Sequence, residues 1–189
     1  MTTGSKIESI GIKLPEKIVS TAEIMSSLKF SKPVQLERLT GIANRRQFDA
    51  SLAEAWARQG RDGAPLALLL ADVDYFKALN DSAGHLRGDE CLRWLARICE
   101  RVAAGERDLV ARYGGEEFVL LLPGRTPEAA IALGESLRRA VADEALAHPA
   151  SPLAPHVTIS VGVAVLVPTA GKSPQDLVAA ADRAMYDAK

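Results

Sequence analysis

Three short stretches of this sequence gather residue types able to do chemistry. Asp72-Val73-Asp74 follows directly on an apolar run, where a buried strand would leave the core. Alternation along a strand directs the two carboxylates to one face and Val73 to the other. Adjacent carboxylates repel, and their proton affinity rises unless a cation lies between them. A metal site and a simple cap for the next segment both stay open on this stretch alone. Gly114-Gly115-Glu116-Glu117 is the second. Two glycines make a turn and two acids solvate it, yet no hairpin needs adjacent glutamates. If this turn lies beside the end of the apolar run, Glu116 and Asp72 share one hard cation, with the Val73 carbonyl as a third oxygen. An all-oxygen set that leaves room for phosphate oxygens suits Mg²⁺.

The third stretch runs from Asn80 to Asp89 and contains Gly84 and Gly88. Glycines permit a close approach of backbone to ligand. Asn80 offers a donor and an acceptor, whereas Asp89 only accepts, which suits the paired N1–H and N2–H₂ donors of guanine. The plainer alternative is a loop followed by acids in a helix's first turn, favourable to its dipole. Lys77 and Arg112 are the cations nearest in sequence to Asp74 and Glu116, and both suit phosphate.

Elements to position these residues are legible from residue 39 onward. A helix after Asn44 carries Phe48, Leu52, Ala55 and Trp56 on one face, and residues 60–65 form a loop. Residues 66–71 are continuously apolar, as in a strand buried on both faces. A long helix follows, with Cys91, Leu92, Leu95, Ile98, Cys99 and Val102 opposite Arg93, Arg97 and Arg101. Residues 110–113 and 118–122 form strands joined by a hairpin at Gly114-Gly115. A helix spans about residues 126–143. The strand over 156–167 has valines on one face and only Thr158, Ser160, Gly162 and Ala164 on the other. Ser173-Pro174 opens a last helix carrying Leu177, Ala181, Ala184 and Met185. The order is α/β or α+β, one central sheet covered by helices.

Composition narrows the function. Across 189 residues, 23 Lys plus Arg face 24 Asp plus Glu, for a net charge of −1; a nucleic-acid duplex is therefore not an expected partner. No apolar run reaches the ~20 residues of a membrane span, and the N-terminus lacks the pattern of a secretory signal. Cytoplasmic placement and no membrane contact follow as expectations. Cys91 and Cys99 lie on one helix face roughly 12 Å apart, too far to bridge, and read as buried hydrophobes.

Residues 1–36 differ from the rest. Residues 7–12 alternate like a short strand, Thr21 caps a short helix to Leu28, and Lys32-Pro33 marks a break. No heptad runs through this stretch, nor does it resemble a sensor. Residues 7–24 resemble the opening of a ketoacyl-synthase-like chain, without the rest of such an enzyme or its nucleophile. The segment is read as an appendage of unknown role, a fusion or remnant, ahead of a domain at 37–189.

The ordered motifs of that domain resemble one family. Leu39-Thr40-Gly41-Ile42-Ala43-Asn44-Arg45-Arg46-Gln47-Phe48 is similar to the opening of GGDEF domains, the diguanylate cyclases. Asp72 through Asp81, then Gly84-His85 and Gly88-Asp89, follow at the family spacing. Arg112-Tyr113-Gly114-Gly115-Glu116-Glu117-Phe118 is the name-giving motif in its GGEEF form. Residues 158–162 and 181–189 resemble the closing segments.

The resemblance implies a palm-like nucleotidyl-cyclase fold with a central, mostly antiparallel sheet flanked by helices. It also implies a signalling transferase that condenses two GTP into cyclic di-GMP and two pyrophosphates. By the family's pattern Asp72, the Val73 carbonyl, Glu116 and Glu117 hold Mg²⁺ or Mn²⁺, and Glu117 assists the metal or helps deprotonate the attacking 3′-hydroxyl. Asn80 and Asp89 read guanine. Backbone N–H groups at Tyr75 and Phe76, with Lys77 and Lys189, hold phosphates, and Arg112 lies beside the nucleotide. One domain holds one GTP, so turnover needs a homodimer.

Two departures matter. Many relatives carry Arg-x-x-Asp five residues before the Gly-Gly as an inhibitory site for the product; here Asp108 is present and Gly105 holds the arginine position. Without the guanidinium fork, feedback through that site is expected to be weak or absent, with Arg107 a partial substitute. The family also usually continues Gly-Arg-Asn after the position of Lys189, and its arginine reaches phosphate, so turnover without it would be lower. The competing reading is a catalytically silent module that binds GTP or cyclic di-GMP, or dimerises; the intact acids argue against it. A cyclase of another nucleotide is disfavoured by Asp89, since adenine offers no paired donors.

Overall fold

The computed structural model describes residues 35–189; the readings made above for residues 1–34 lie outside the described residues. Gln35–Lys189 form one compact unit. Strand β1 is only Ala43–Asn44, and Asn44 then caps helix α1, Arg45–Asp62, by accepting the Gln47 N–H. Phe48, Leu52 and Ala55 are buried as the helical spacing requires, and Gln59 joins them by donating to the Pro65 carbonyl at 2.9 Å. The helix runs further into residues 60–65 than the sequence suggests, because Gly63, at φ 62°, closes it.

Strand β2, Leu66–Val73, is buried at every position, as a strand covered on both faces must be. It is followed by helix α2, Phe76–Ala83, and helix α3, His85–Val102. The stretch around residues 80–84 that reads as a loop is thus largely helical. Only Gly84, at φ 85°, separates the two helices. Strands β3, Leu109–Gly114, and β4, Glu117–Pro123, form the expected hairpin, with a register shift between Arg112 and Gly114. Helix α4, Pro127–Asp143, is capped by Thr126. Strand β5, Ile159–Leu166, starts later than the alternation from residue 156 suggests. Helix α5, Pro174–Ala188, opens with a reciprocal Ser173–Asp176 capping box.

The sheet order is β1-β3-β4-β2-β5. All pairings are antiparallel except β1 with β3. The expected mostly antiparallel sheet with flanking helices is what forms. One face of β2 sends Ala67, Leu69, Ala71 and Val73 toward α3 and α4. The other sends Leu66, Leu68 and Leu70 toward α1 and α5. The small residues on β5 find their reason here: a Cβ at Gly162 would run into the α5 backbone at Ala181 and Met185. Cys91 and Cys99 are free and buried, and burial pushes both thiols up to about 12, which leaves them unreactive.

Candidate active site

The site lies at the end of β2, where its C-terminus meets the β3–β4 turn. Asp72 stands opposite Glu117 on β4 and opposite Ser160 on β5. The hairpin therefore does bring its acids beside the apolar strand, as the sequence required for a shared cation. Asp72 is 7% exposed, and its Oδ1 lies 2.8 Å from Lys189 Nζ. Partial burial raises the proton affinity of Glu117, and the charges of Asp72 and Glu116 raise it further. Burial alone would lower that of Lys189, but the hydrogen bond and charge of Asp72, helped by Asp74 and Glu116, carry it above the ordinary lysine value.

Asp74 behaves differently from its neighbour. Beyond the end of β2, its carboxylate accepts the Thr158 hydroxyl at 2.6 Å and the Ser160 hydroxyl at 2.7 Å. Its N–H donates to the Thr158 carbonyl at 3.0 Å. Of the two acids suspected from sequence, Asp72 belongs to the charge cluster and Asp74 fastens the segment to β5. Tyr75 then turns the chain with φ 53°, a conformation that costs roughly 1–2 kcal/mol outside glycine. That turn delivers Phe76 and Lys77 to the first turn of α2, where unpaired backbone N–H groups favour anions.

Asn80 on α2 lies against Gly88, the residue before Asp89, at the corner between α2 and α3. A Cβ at Gly88 would collide with Asn80 Oδ1, so the absence of a side chain lets the Asn80 amide lie against α3 beside Asp89. Both residues are half-exposed and free to meet a ligand edge. Asp74, Tyr75, Thr158, Ser160 and Lys189 border a groove of about 680 Å³; Asn80, Asp89 and Glu116 lie outside its lining.

Arg112 is engaged within the protein. Its Nε and Nη2 donate to the Gly115 carbonyl at 2.9 and 2.7 Å, and its Nη1 lies 3.2 Å from Glu37. It thereby braces the turn that presents Glu116. Glu37 is a residue the sequence did not flag. Although its burial works the other way, the Thr40 hydroxyl, the Leu39 and Thr40 N–H groups and Arg112 lower its carboxyl to about 2. Only Glu37 standing upstream of Leu39-Thr40-Gly41 hinted at that turn.

At the far end of β3, Asp108 is 3% exposed in its side chain and lies 3.0 Å from Arg125. It also accepts the Gly105 N–H at 2.9 Å. Arg125 is a second residue the sequence did not single out.

The oxygens around Asp72 fit a hard divalent cation. Like charges crowd there, and an ammonium is already drawn to Asp72 Oδ1. Among the described residues no three His, Cys, Asp or Glu side chains converge on a metal position.

Comparison with known proteins decides the family. The model for the family "Diguanylate cyclase, GGDEF domain" matches residues 34–189. The chain belongs to the GGDEF diguanylate cyclase family. It is 38% identical over 151 residues to the diguanylate cyclase DgcP of Pseudomonas aeruginosa, covering 80% of this chain and 22% of that protein. Against the response regulator PleD of Caulobacter vibrioides it is 40% identical over 158 residues, covering 81% and 33%. Against the diguanylate cyclase DgcM of Escherichia coli it is 41% identical over 154 residues, covering 81% and 35%. The chain thus spans about a fifth to a third of these relatives' length. Among solved structures, the GGDEF domain of DgcB from Caulobacter crescentus, in complex with c-di-GMP, aligns with TM-score 0.73 and 33% identity over 82% of this chain and 90% of that one. The active GGEEF domain of a Vibrio cholerae diguanylate cyclase aligns with TM-score 0.68 and 33% identity over 77% and 90%.

Proposed function

We propose that the domain at 37–189 condenses two GTP into cyclic di-GMP and two pyrophosphates, with residues 1–36 an appendage outside the reaction. The observation that carries this reading is the register of Asp72 against Glu117, which sets a charge-strained acid cluster beside an anion-binding helix start and a guanine-compatible corner. Asp89 accepts from the paired donors on the guanine edge, with Asn80 beside it. The N–H groups at Tyr75 and Phe76, with Lys77, hold phosphate oxygens. Asp72, the Val73 carbonyl, Glu116 and Glu117 would hold Mg²⁺ or Mn²⁺, which when bound offsets charge on the transferring phosphoryl and the leaving pyrophosphate.

Glu117, whose proton affinity is already raised, is suited to take the proton of the attacking 3′-hydroxyl. With nucleotide present, Lys189 exchanges Asp72 for phosphate. Arg112 keeps the turn in shape next to the nucleotide. One domain offers one guanine corner, so the attacking hydroxyl comes from GTP on a facing copy and the homodimer completes the site.

Feedback by the product through the Asp108 corner is weak or absent in this reading, because Arg125 and the Gly105 N–H already use the Asp108 carboxylate. A Cβ at Gly105 would meet the Asp108 and Arg125 side chains at 2.6–2.8 Å, so Gly105→Arg requires this ion pair to shift before Asp108 meets a ligand. Micromolar product inhibition abolished by Asp108→Ala would overturn this point. Chromatography of products from GTP and Mg²⁺ tests the main reading: cyclic di-GMP from the wild type and none from Glu116→Ala is expected. Full turnover by Glu116→Ala would remove the metal assignment.

A further inference from the structure

We infer that His148 is a positioning residue for the triphosphate of GTP, acting through the backbone carbonyl of Tyr75. His148 lies in the connection between α4 and β5 and is fully buried. Its Nε2 lies 3.2 Å from the Tyr75 carbonyl oxygen, 73 residues away in sequence. A carbonyl can only accept, so Nε2 carries a proton and donates, which leaves Nδ1 as the other polar atom of the ring. That Nδ1 is buried and has no partner among the described residues.

An orphaned buried polar atom costs free energy that an apolar side chain of the same size would avoid. Something on the other side of the ring offsets it. The Tyr75 carbonyl is not in need of a partner, because the Leu79 N–H already donates to it at 3.1 Å. Nor does the loop around His148 depend on the ring. The His148 N–H donates to Pro155, the Ser151 N–H donates to His148, and the Val157 N–H donates to Leu146, all through backbone groups.

What the imidazole adds is a fixed position for the peptide following Tyr75. Tyr75 holds φ 53°, an unfavourable conformation for a residue with a Cβ, and one that persists only where its surroundings over-determine it. Asp74 is fastened just before it by Thr158 and Ser160. His148 fastens the carbonyl just after it. Between these two hooks the chain makes the turn that aims the Phe76 and Lys77 N–H groups out of the start of α2. Loss of the second hook lets the peptide rotate and turns those donors away from an anion. The inference rests on the reading that residues 75–77 hold the phosphates of GTP.

The test compares His148→Gln with His148→Met. The two replacements are similar in length and volume, but only glutamine carries an N–H donor near the place of Nε2. Binding of a non-hydrolysable GTP analogue and of guanosine, each with Mg²⁺, is measured by calorimetry, and turnover is split into kcat and KM. Thermal unfolding checks that both variants fold; should His148→Met not fold, His148→Leu takes its place in the comparison. His148→Met is expected to weaken the analogue about tenfold and to raise KM by a similar factor, with guanosine binding unchanged. His148→Gln is expected to stay within about threefold of the wild type in all of these. Equal loss in both variants, or equal loss of guanosine and analogue, would show a purely structural histidine and overturn the inference. Lys77→Ala separates the two levels of the argument: if it leaves the analogue's affinity unchanged, the phosphate reading itself fails. If Lys77→Ala weakens the analogue while His148→Met does not, only the role of His148 fails.

Discussion

The two ends of strand β3 treat a carboxylate in opposite ways. At one end Asp108 is nearly sealed from solvent and held at Oδ2 by the Arg125 guanidinium and the Gly105 N–H. At the other, past the Gly114-Gly115 turn, Glu117 faces Asp72 across the ladder with Glu116 adjoining, and among the described residues Lys189 alone offsets the charge. The first arrangement is closed: a guanidinium and an N–H converge on Asp108 Oδ2, and a Cβ at Gly105 would have to displace the Asp108 and Arg125 side chains. The second is open, a local excess of negative charge that a divalent cation with phosphate would complete. Acids that stabilise the fold and acids that await a ligand are thus told apart by their partners, not by residue type.

Substitutions sharpen that contrast. The largest effect is expected at the open end, where Glu116→Ala should lower cyclic di-GMP formation about a thousandfold or more while leaving thermal stability near that of the wild type. Asp89→Ala comes next: the loss of two donor–acceptor pairs to guanine should cost about 10–100-fold in kcat/KM for GTP. It should also narrow the preference over ATP, read by competing nucleotides in one assay.

At the closed end the sign reverses. Arg125→Ala leaves a buried carboxylate with one N–H and should cost about 2 kcal/mol of stability by denaturant unfolding, with turnover almost unchanged. A stable Arg125→Ala variant would mean that the corner is not closed as described. Glu37 follows. Its carboxyl is lowered from 4.5 to about 2 on folding, so it stabilises the protein above pH 4.5, and this contribution is lost as pH falls toward 2. After allowance for solvent screening, Glu37→Gln should cost about 1 kcal/mol at pH 7, and the difference from the wild type should shrink in unfolding curves taken at lower pH.

The smallest effect is expected at Glu117, whose proton affinity is raised in the folded state, so folding favours its protonated form. Its repulsion is felt once pH exceeds the raised value and disappears below the ordinary glutamate range. Glu117→Gln should therefore raise the melting temperature of the metal-free protein at neutral pH by about 1–2 °C, without a gain at pH 4.

Much of this was legible beforehand because period and burial agree. The continuous apolar run of β2, the Ser173-Pro174 start of α5 and the hairpin glycines each encode a local geometry that tertiary packing leaves alone. The acids were legible because they had no local reason to be adjacent. What escaped notice depends on distant partners. Helix α2 was hidden because Asn80, Asp81, Ser82 and Gly84 look like loop residues, and packing of the fully buried Leu79 overrides that preference. Glu37, Arg125 and His148 gain their roles from residues 75, 17 and 73 positions away, which no spacing pattern shows. The split between Asp72 and Asp74 likewise needed the hydroxyls of Thr158 and Ser160.

The most direct test of the account is the rate of cyclic di-GMP formation from GTP and Mg²⁺ across a wide range of protein concentration. A site completed by a facing copy predicts a rate that rises faster than linearly with protein, approaching the square while dimers are scarce. GTP binding without product at every concentration, or a rate strictly proportional to protein down to the most dilute samples, would contradict it.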